Sequence, residues 1–227
     1  MKREFLITGD GSTTIHIPDW NEQYHSKHGA LAEAKHVFIE AGFRHVLQQN
    51  SIDELHLLEI GFGTGLNALL TYGECQKMQQ NCRYTGVEAY PVLEAETSKL
   101  NYAELSSLPQ AYFDALHLAT WEDAVPLSPV FQVEKRKQLF SDISDLDRYH
   151  LIYFDAFGAR VQPELWTEAI FKRMHNALKD KGVLVTYAAK GSVRRAMQAV
   201  GFFVERLPGP PGKREMLRAT KTSSNRA

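Results

Sequence analysis

From Leu55 onward the chain alternates short apolar runs with stretches of helical period, and no other feature restricts its fold as strongly. LHLLEI (55–60), RYTGVE (83–88), VFQVEKRKQLF (130–140), HLIYFDAF (150–157) and GVLVTYA (182–188) have the length and residue types of strands. Helical patterns fill the intervals around 66–76, 92–105, 163–178 and 192–200. Apolar runs without strict alternation imply strands covered on both faces, which predicts an α/β fold with a doubly wound, Rossmann-like parallel sheet. FFVERL (202–207) and KREMLRAT (213–220), joined by PGPPG, read as an antiparallel pair closing that sheet. Ahead of it, FLITGD and TTIHI flank an Asp10-Gly11 turn signal and predict a hairpin, and ALAEAKHVFIEAGFRHVL predicts a helix. The expected organisation is a hairpin and helical extension over 1–50, a main unit over 51–220 forming one domain with it, and a frayed tail at 221–227.

A length of 227 residues suits one hydrophobic core, and 44% apolar with 23% charged residues excludes a disordered, collagen-like or coiled-coil chain. No apolar run approaches the roughly 18 to 20 residues that span a bilayer, and MKREFLITGDGS lacks a secretory h-region, so a soluble, cytoplasmic protein is expected. Cys75 and Cys82 have no second pair and no histidine at zinc-site spacing, and the nine histidines form no metal motif. No metal is expected.

The most informative stretch is LLEIGFGTGLN (57–67), in which an apolar strand carrying Glu59 runs into Gly61-x-Gly63-x-Gly65 and then a helix beginning near Asn67. Glycines are needed where a strand-to-helix turn passes close under a ligand or takes positive φ. The dinucleotide fingerprint would place its third glycine at 66, which is Leu66. That departure, with an acid two positions before the first glycine, favours S-adenosylmethionine over NAD, because its methionine end is a zwitterion with no pyrophosphate to seat.

Further acids fall at successive strand ends. Glu88 closes the second run, where a carboxylate can accept both ribose hydroxyls. Asp142 follows the third, where an acid or the adjacent amide would reach the adenine amino group, with Asp145 and Asp147 nearby as alternatives in register. Asp155 closes the fourth, at the sheet edge where α/β ligands bind. Five crossover strands plus a closing pair is the layout of class I S-adenosylmethionine-dependent methyltransferases.

GFGTGLN, YFDAFGARVQPELW (153–166) and GVLVTYAAKGSVRRAMQAVGFFVERLPGPPGKREML (182–217), together with YHSKHGALAEAKHVFIEAG near the N-terminus, resemble the methyltransferase domain of the MnmC family. The likeness extends from about Tyr24 to Ala219. The family usually reads D-G-F-A-P then N-P-E-x-W, whereas this chain has Asp155-Ala156-Phe157-Gly158-Ala159 and Gln162-Pro163-Glu164-Leu165-Trp166, losing the proline after the turn. The resemblance implies methyl transfer from S-adenosylmethionine to 5-aminomethyl(2-thio)uridine at the tRNA wobble position. It implies that half-reaction alone, since no second dinucleotide fingerprint marks the family's FAD-dependent oxidase domain.

Such a transfer needs a neutral amine, and an alkylamine with a pKa of about 10 is mostly protonated at neutral pH. Asp155 is the candidate proton acceptor, with a role in cofactor binding as its alternative. Tyr24 and Lys27 ahead of the first helix, and Phe157 after Asp155, are candidate walls for an unstacked uridine. Trp166 reads as core, and Tyr187 as either core or pocket wall. From Lys190 to the C-terminus nine Lys/Arg face two Glu, while the rest of the chain is net acidic. Lys190, Arg194, Arg195, Lys213 and Arg214 are therefore the expected phosphate contacts, with a tRNA anticodon arm as partner. The rivals are a methyltransferase or aminopropyltransferase acting on a small molecule or protein, and a noncatalytic RNA-binding subunit of the same fold. The oligomeric state is not readable from the chain.

Overall fold

The structure is a computed structural model that describes residues 2–222. Its N-terminal extension opens with a hairpin, β1 (Glu4–Ile7) antiparallel to β2 (Thr13–Ile17), to which a short β3 (Glu22–Gln23) is added. The hairpin turn is fastened to the next element by Asp10. Its Oδ1 accepts from the Thr8 hydroxyl at 2.8 Å and the Ser12 hydroxyl at 2.5 Å, and its Oδ2 accepts from the Ala32 amide at 3.0 Å. Burial works against this charge, but the donors from Ser12, Ala32 and Thr8 outweigh it and hold the carboxyl below its ordinary range. A helical stretch follows as α1 (Ala30–Ala34), π-helical turns over Lys35–Arg44, and α2 (His45–Gln49).

The main sheet then runs β4 (Glu54–Ile60), β5 (Asn81–Val87), β6 (Ala124–Ser128), β7 (Phe131–Arg136), β8 (Tyr149–Phe154), β9 (Leu178–Thr186), β10 (Phe202–Pro208) and β11 (Glu215–Lys221). Its spatial order is β10-β11-β9-β8-β4-β5-β7-β6. The pairs linking β7, β5, β4, β8 and β9 are parallel, and β11 lies antiparallel between β9 and β10, as expected of a doubly wound sheet with a closing pair. Strand order reverses beside β4, so the carboxyl ends of β4, β5 and β8 flank a crevice where α/β folds bind ligands.

The connecting helices are α3 (Leu66–Met78), α4 (Glu94–Thr97), α5 (Tyr102–Ser106), α6 (Gln110–Leu118), α7 (Glu168–Ala177) and α8 (Gly191–Ala199). Alternate residues of β4 feed two cores. Leu57 packs with Phe38, Phe43, Tyr84 and Tyr153 on one face, and Leu58 packs with Phe154, Phe171, Met174 and Met197 on the other. Each such burial is worth about 1.5–3 kcal/mol, which is what holds helices to both sides. No helix among the described residues is long and apolar enough to cross a membrane.

Three expectations are corrected. The run 130–140 is a strand only to Arg136, because its neighbour β5 ends at Val87, the partner of Arg136, and the chain beyond has nothing to pair with. The helix expected over 92–105 breaks into α4 and α5. Asn101 leaves helical geometry at the break to accept from the Thr13 amide and donate to the Gly11 carbonyl, fastening the hairpin. The edge strand β6 and helix α6 are additions. β6 contains Pro126, which an edge strand tolerates because one of its sides needs no donor. Part of the expected frayed tail is strand, since β11 reaches Lys221, and residues 223–227 lie outside the described part.

Candidate active site

The turn after β4 is built by its glycines. The amides of Gly61 and Phe62 both donate to the Val87 carbonyl, at 3.0 and 3.1 Å, and the Asp155 amide donates to the Ile60 carbonyl at 2.9 Å. These bonds draw the ends of β4, β5 and β8 together. Gly61 has φ +89°, and a Cβ there would lie 2.7 Å from the Asp155 carbonyl oxygen, so both conformation and space require glycine. Gly63, at φ +50°, brings its backbone against the Tyr24 ring, and Gly65 leads into α3. Over this turn lies a cavity of about 580 Å³ walled by Gly61, Gly63, Glu88, Phe140 and Asp155 among others. That volume falls in the range of small-molecule sites, about 300–1,000 Å³.

The expected acids take different places. Glu88 stands on the cavity wall, held by the Gly63 amide at 3.0 Å on Oε2 and the Tyr90 amide at 2.9 Å on Oε1. Asp155 is also on the wall, and burial pushes its carboxyl up to about 7, with the nearby Glu33 charge adding to the rise against the Asn67 donor and the Lys213 cation. Asn67 joins two carboxylates, its Nδ2 donating to Glu59 Oε1 at 2.9 Å and Asp155 Oδ2 at 2.8 Å, which leaves its buried Oδ1 without a donor. Glu59 itself is not on the wall. It lies buried beneath the turn, 1% exposed, accepting from Tyr84 at 2.7 Å, and burial raises its carboxyl well above the ordinary range. Its reach to the cavity runs through Asn67. Asp142 is exposed and off the wall, where its neighbours Phe140 and Ser141 stand instead. Gly65 is likewise beside the cavity rather than lining it.

A second cavity of about 780 Å³ adjoins the first, and Tyr24, His25, Gly158 and Tyr187 line both. The Tyr24 ring meets Phe157 edge-on at 4.9 Å, and Phe157 meets Trp20 at 5.5 Å, making an aromatic wall at the junction. Burial raises the Tyr24 hydroxyl to about 12, so it remains protonated. Lys27, Lys190 and Arg214 are exposed on the rim of the second cavity. Lys213 is there too, but its Nζ lies 2.5 Å from Glu33 and 3.8 Å from the Tyr187 ring centroid, so it is not the free phosphate contact expected. Arg195 is exposed on α8, and Arg194 is partly buried with its Nε unpartnered. Trp166 is core, its indole donating to the Phe157 carbonyl at 2.8 Å.

Sequence reasoning passed over His25 and Glu33. His25 is kept neutral by burial, its pKa lowered to about 4, and bonds Thr14 at 3.0 Å and Thr64 at 3.3 Å, tying the extension to the glycine turn. Nothing in a linear pattern distinguishes it from the other histidines. Glu33 is buried at a helix position where a charge is rare, and that oddity was its one available signal. Among the described residues no group of three or more His, Cys, Asp or Glu side chains is placed to hold a metal ion.

Comparison with known proteins agrees with this geometry. A family profile described as S-adenosyl-L-methionine-dependent methyltransferase matches residues 113–222. The chain is 29% identical over 227 residues to the tRNA 5-methylaminomethyl-2-thiouridine biosynthesis bifunctional protein MnmC of Cupriavidus metallidurans, covering 94% of the chain and 33% of that protein. It is 30% identical over 213 residues to the MnmC of Leptospira borgpetersenii, covering 87% and 32%. It thus spans about a third of the length of these curated relatives. Among solved structures it superposes on MNMC2 from Aquifex aeolicus with a TM-score of 0.78 at 19% identity, over 98% of this chain and 71% of that one. The spermidine synthase of Thermotoga maritima shares the fold at a TM-score of 0.56 and 12% identity, over 97% and 72%. The chain therefore has the fold of the S-adenosyl-L-methionine-dependent methyltransferases, matches their family profile over 113–222, and is similar along most of its length to about a third of the MnmC proteins.

Proposed function

We propose that this domain transfers a methyl group from S-adenosylmethionine to the primary amine of 5-aminomethyl(2-thio)uridine at the wobble position of tRNA, in the cytoplasm. The observation that carries this reading is the junction of the two cavities. Asp155 lines the glycine-cradled cleft, and that cleft shares Tyr24 and Tyr187 with a basic-rimmed one, where Tyr24 meets Phe157 in an aromatic wall. The first cavity fits the cofactor on its own residues. The glycine turn leaves room that a Cβ would fill, Glu88 offers a carboxylate for ribose hydroxyls, and the orphaned Asn67 Oδ1 is a ready acceptor for an ammonium. The MnmC relatives carry names of tRNA 5-methylaminomethyl-2-thiouridine biosynthesis, which supports the choice of substrate.

S-adenosylmethionine, held by the glycine turn and Glu88, would supply an electrophilic methyl group to the amine and would keep the C–S electron pair on its sulfur. The chain's residues must orient that amine and dispose of its proton. With its carboxyl near 7, Asp155 is partly ionised at neutral pH and is suited to take a proton from an incoming amine and release it afterwards. Because the methyl group is already activated, holding the amine in line contributes more than strong base catalysis. Tyr24 and Phe157 offer faces for an unstacked base, and Lys27, Lys190 and Arg214 offer charges for the flanking phosphates.

The test is incubation of the purified protein with S-adenosylmethionine and an anticodon stem-loop carrying 5-aminomethyluridine, followed by nucleoside mass spectrometry. Conversion to methylaminomethyluridine is expected. Unchanged nucleoside with folded, cofactor-binding protein would overturn the reading.

A further inference from the structure

Beside Tyr187, which the two cavities share, a cation of the chain is already seated on an acid. Glu33 is buried, and its Oε2 pairs with Lys213 Nζ while its Oε1 accepts from the Ser26 amide at 3.3 Å. The same Nζ sits 3.8 Å from the centroid of the Tyr187 ring, a cation–π distance. The Tyr187 hydroxyl donates to the Ala156 carbonyl at 2.8 Å, which fixes the ring next to Asp155. Tyr187 lines both cavities, so this cluster faces the point where Asp155 would meet a substrate.

A buried carboxylate next to a second one is costly unless a cation accompanies it. Here the cation is the end of a flexible side chain on the β10–β11 connection, 31% exposed and opening onto the rim. A lysine tip and an aminomethyl group have the same chemistry, a primary ammonium on a methylene carbon. Whatever seats the one can seat the other.

Resting on the function proposed above, we infer that Glu33, Tyr187 and Asp155 form the subsite for the substrate's primary ammonium group, and that Lys213 holds this seat until the substrate displaces it. Glu33 and the Tyr187 ring recognise the charge, and Asp155 then receives the proton. A uridine with a neutral substituent cannot replace Lys213, so the subsite selects the amine. Glu33 and Tyr187 are positioning residues for this step. Lys213 is a competitor built into the chain.

The test compares two anticodon stem-loops identical except at the wobble uridine, one with 5-aminomethyl and one with 5-hydroxymethyl. Binding is measured calorimetrically with S-adenosylhomocysteine present. The wild-type protein is expected to prefer the amine at least about tenfold, in the range of a charge-assisted hydrogen bond. Glu33→Gln should abolish most of that preference while leaving affinity for the hydroxymethyl loop unchanged. Lys213→Met should tighten the amine-bearing loop threefold or more and leave the other loop as it was. If Lys213 instead contacts phosphate, Lys213→Met weakens both loops alike, and the inference is overturned. It is overturned too if Glu33→Gln keeps the preference. Should Glu33→Gln fail to fold, the sign of the Lys213→Met effect decides alone. Failure of the two readings is separable. A preference that depends on Glu33, without methylation, sinks the proposed activity and keeps the subsite. Methylation with a preference indifferent to Glu33 does the reverse.

Discussion

Asp155 owes its chemistry to where β8 ends. Its amide is spent on β4, its Oδ2 takes the Asn67 donor, and burial with the Glu33 charge lifts its carboxyl to about 7. Replacing it with Asn keeps the shape and removes the charge. Turnover at saturating substrates should fall at least about tenfold, a barrier increase of roughly 1.4 kcal/mol, and the loss should shrink at high pH where the free amine forms unaided. Steady-state kinetics across pH checks this. Wild-type turnover at neutral pH would remove Asp155 from the reaction. The same residue makes a stability prediction. A carboxyl whose folded pKa lies above its unfolded one binds more protons when folded, so its contribution is fully present below about 4 and is lost as pH rises through about 7. Asp155→Asn should therefore match the wild type in thermal denaturation near pH 4 and exceed it at pH 8, by on the order of 1–4 kcal/mol. An equal difference at both pH values would contradict the assignment.

At the scale of elements, the site depends on three strand ends meeting over one turn. Gly61 is the tightest point of that meeting. A Cβ at 2.7 Å from the Asp155 carbonyl, in a backbone conformation that L-residues avoid, must push β8 away from β4. Gly61→Ala is expected to cost about 1–3 kcal/mol of stability and to weaken S-adenosylmethionine binding more than tenfold. Glu88→Ala, by contrast, introduces no backbone strain, although it removes the acceptor of the Gly63 amide, and should weaken the cofactor about ten- to a hundredfold through lost hydrogen bonds to a charged group, about 1.5–3 kcal/mol. Calorimetry and chemical denaturation on both variants separate the two causes. Unchanged affinity in either variant would remove that residue from the cofactor site. The helical extension is fastened by the same kind of local bonding. Asp10 gathers Thr8, Ser12 and Ala32, and Asn101 reaches across from the break between α4 and α5.

Across the whole molecule, charge separates affinity from chemistry. Of the eight basic residues from Lys190 onward that the structure describes, four are paired with carboxylates within the fold: Arg206 with Glu215, Arg218 with Glu205, Lys221 with Asp147 and Lys213 with Glu33. The rim cations of the second cavity, Lys27, Lys190 and Arg214, are exposed and come from three distant parts of the chain. Removing all three should weaken tRNA binding and flatten the log–log salt dependence by about two to three units, close to one per phosphate contact. Filter binding at several salt concentrations measures the slope. A slope equal to that of the wild type would leave these residues as solvated surface charges.

Much of this architecture is written in local pattern. Apolar runs too continuous for a half-exposed strand announce a sheet covered on both faces, and a glycine turn after the first of them marks the crevice, because strand burial and positive φ are imposed residue by residue. For the same reason Glu88 and Asp155 were legible, since an acid directly after a parallel strand can only emerge at the carboxyl edge of the sheet. What tertiary structure decided was pairing between distant residues. Glu59, inside its strand, and Asp142, beyond the end of its run, were expected in the same cofactor site as Glu88, yet one is buried under the turn by Tyr84 and Asn67 and the other faces solvent. Lys213 looked like a cation waiting for phosphate until Glu33, 180 positions earlier, was found to hold it. A linear pattern records each residue's own preference, while charge, burial and protonation depend on neighbours that only the closed fold brings into contact.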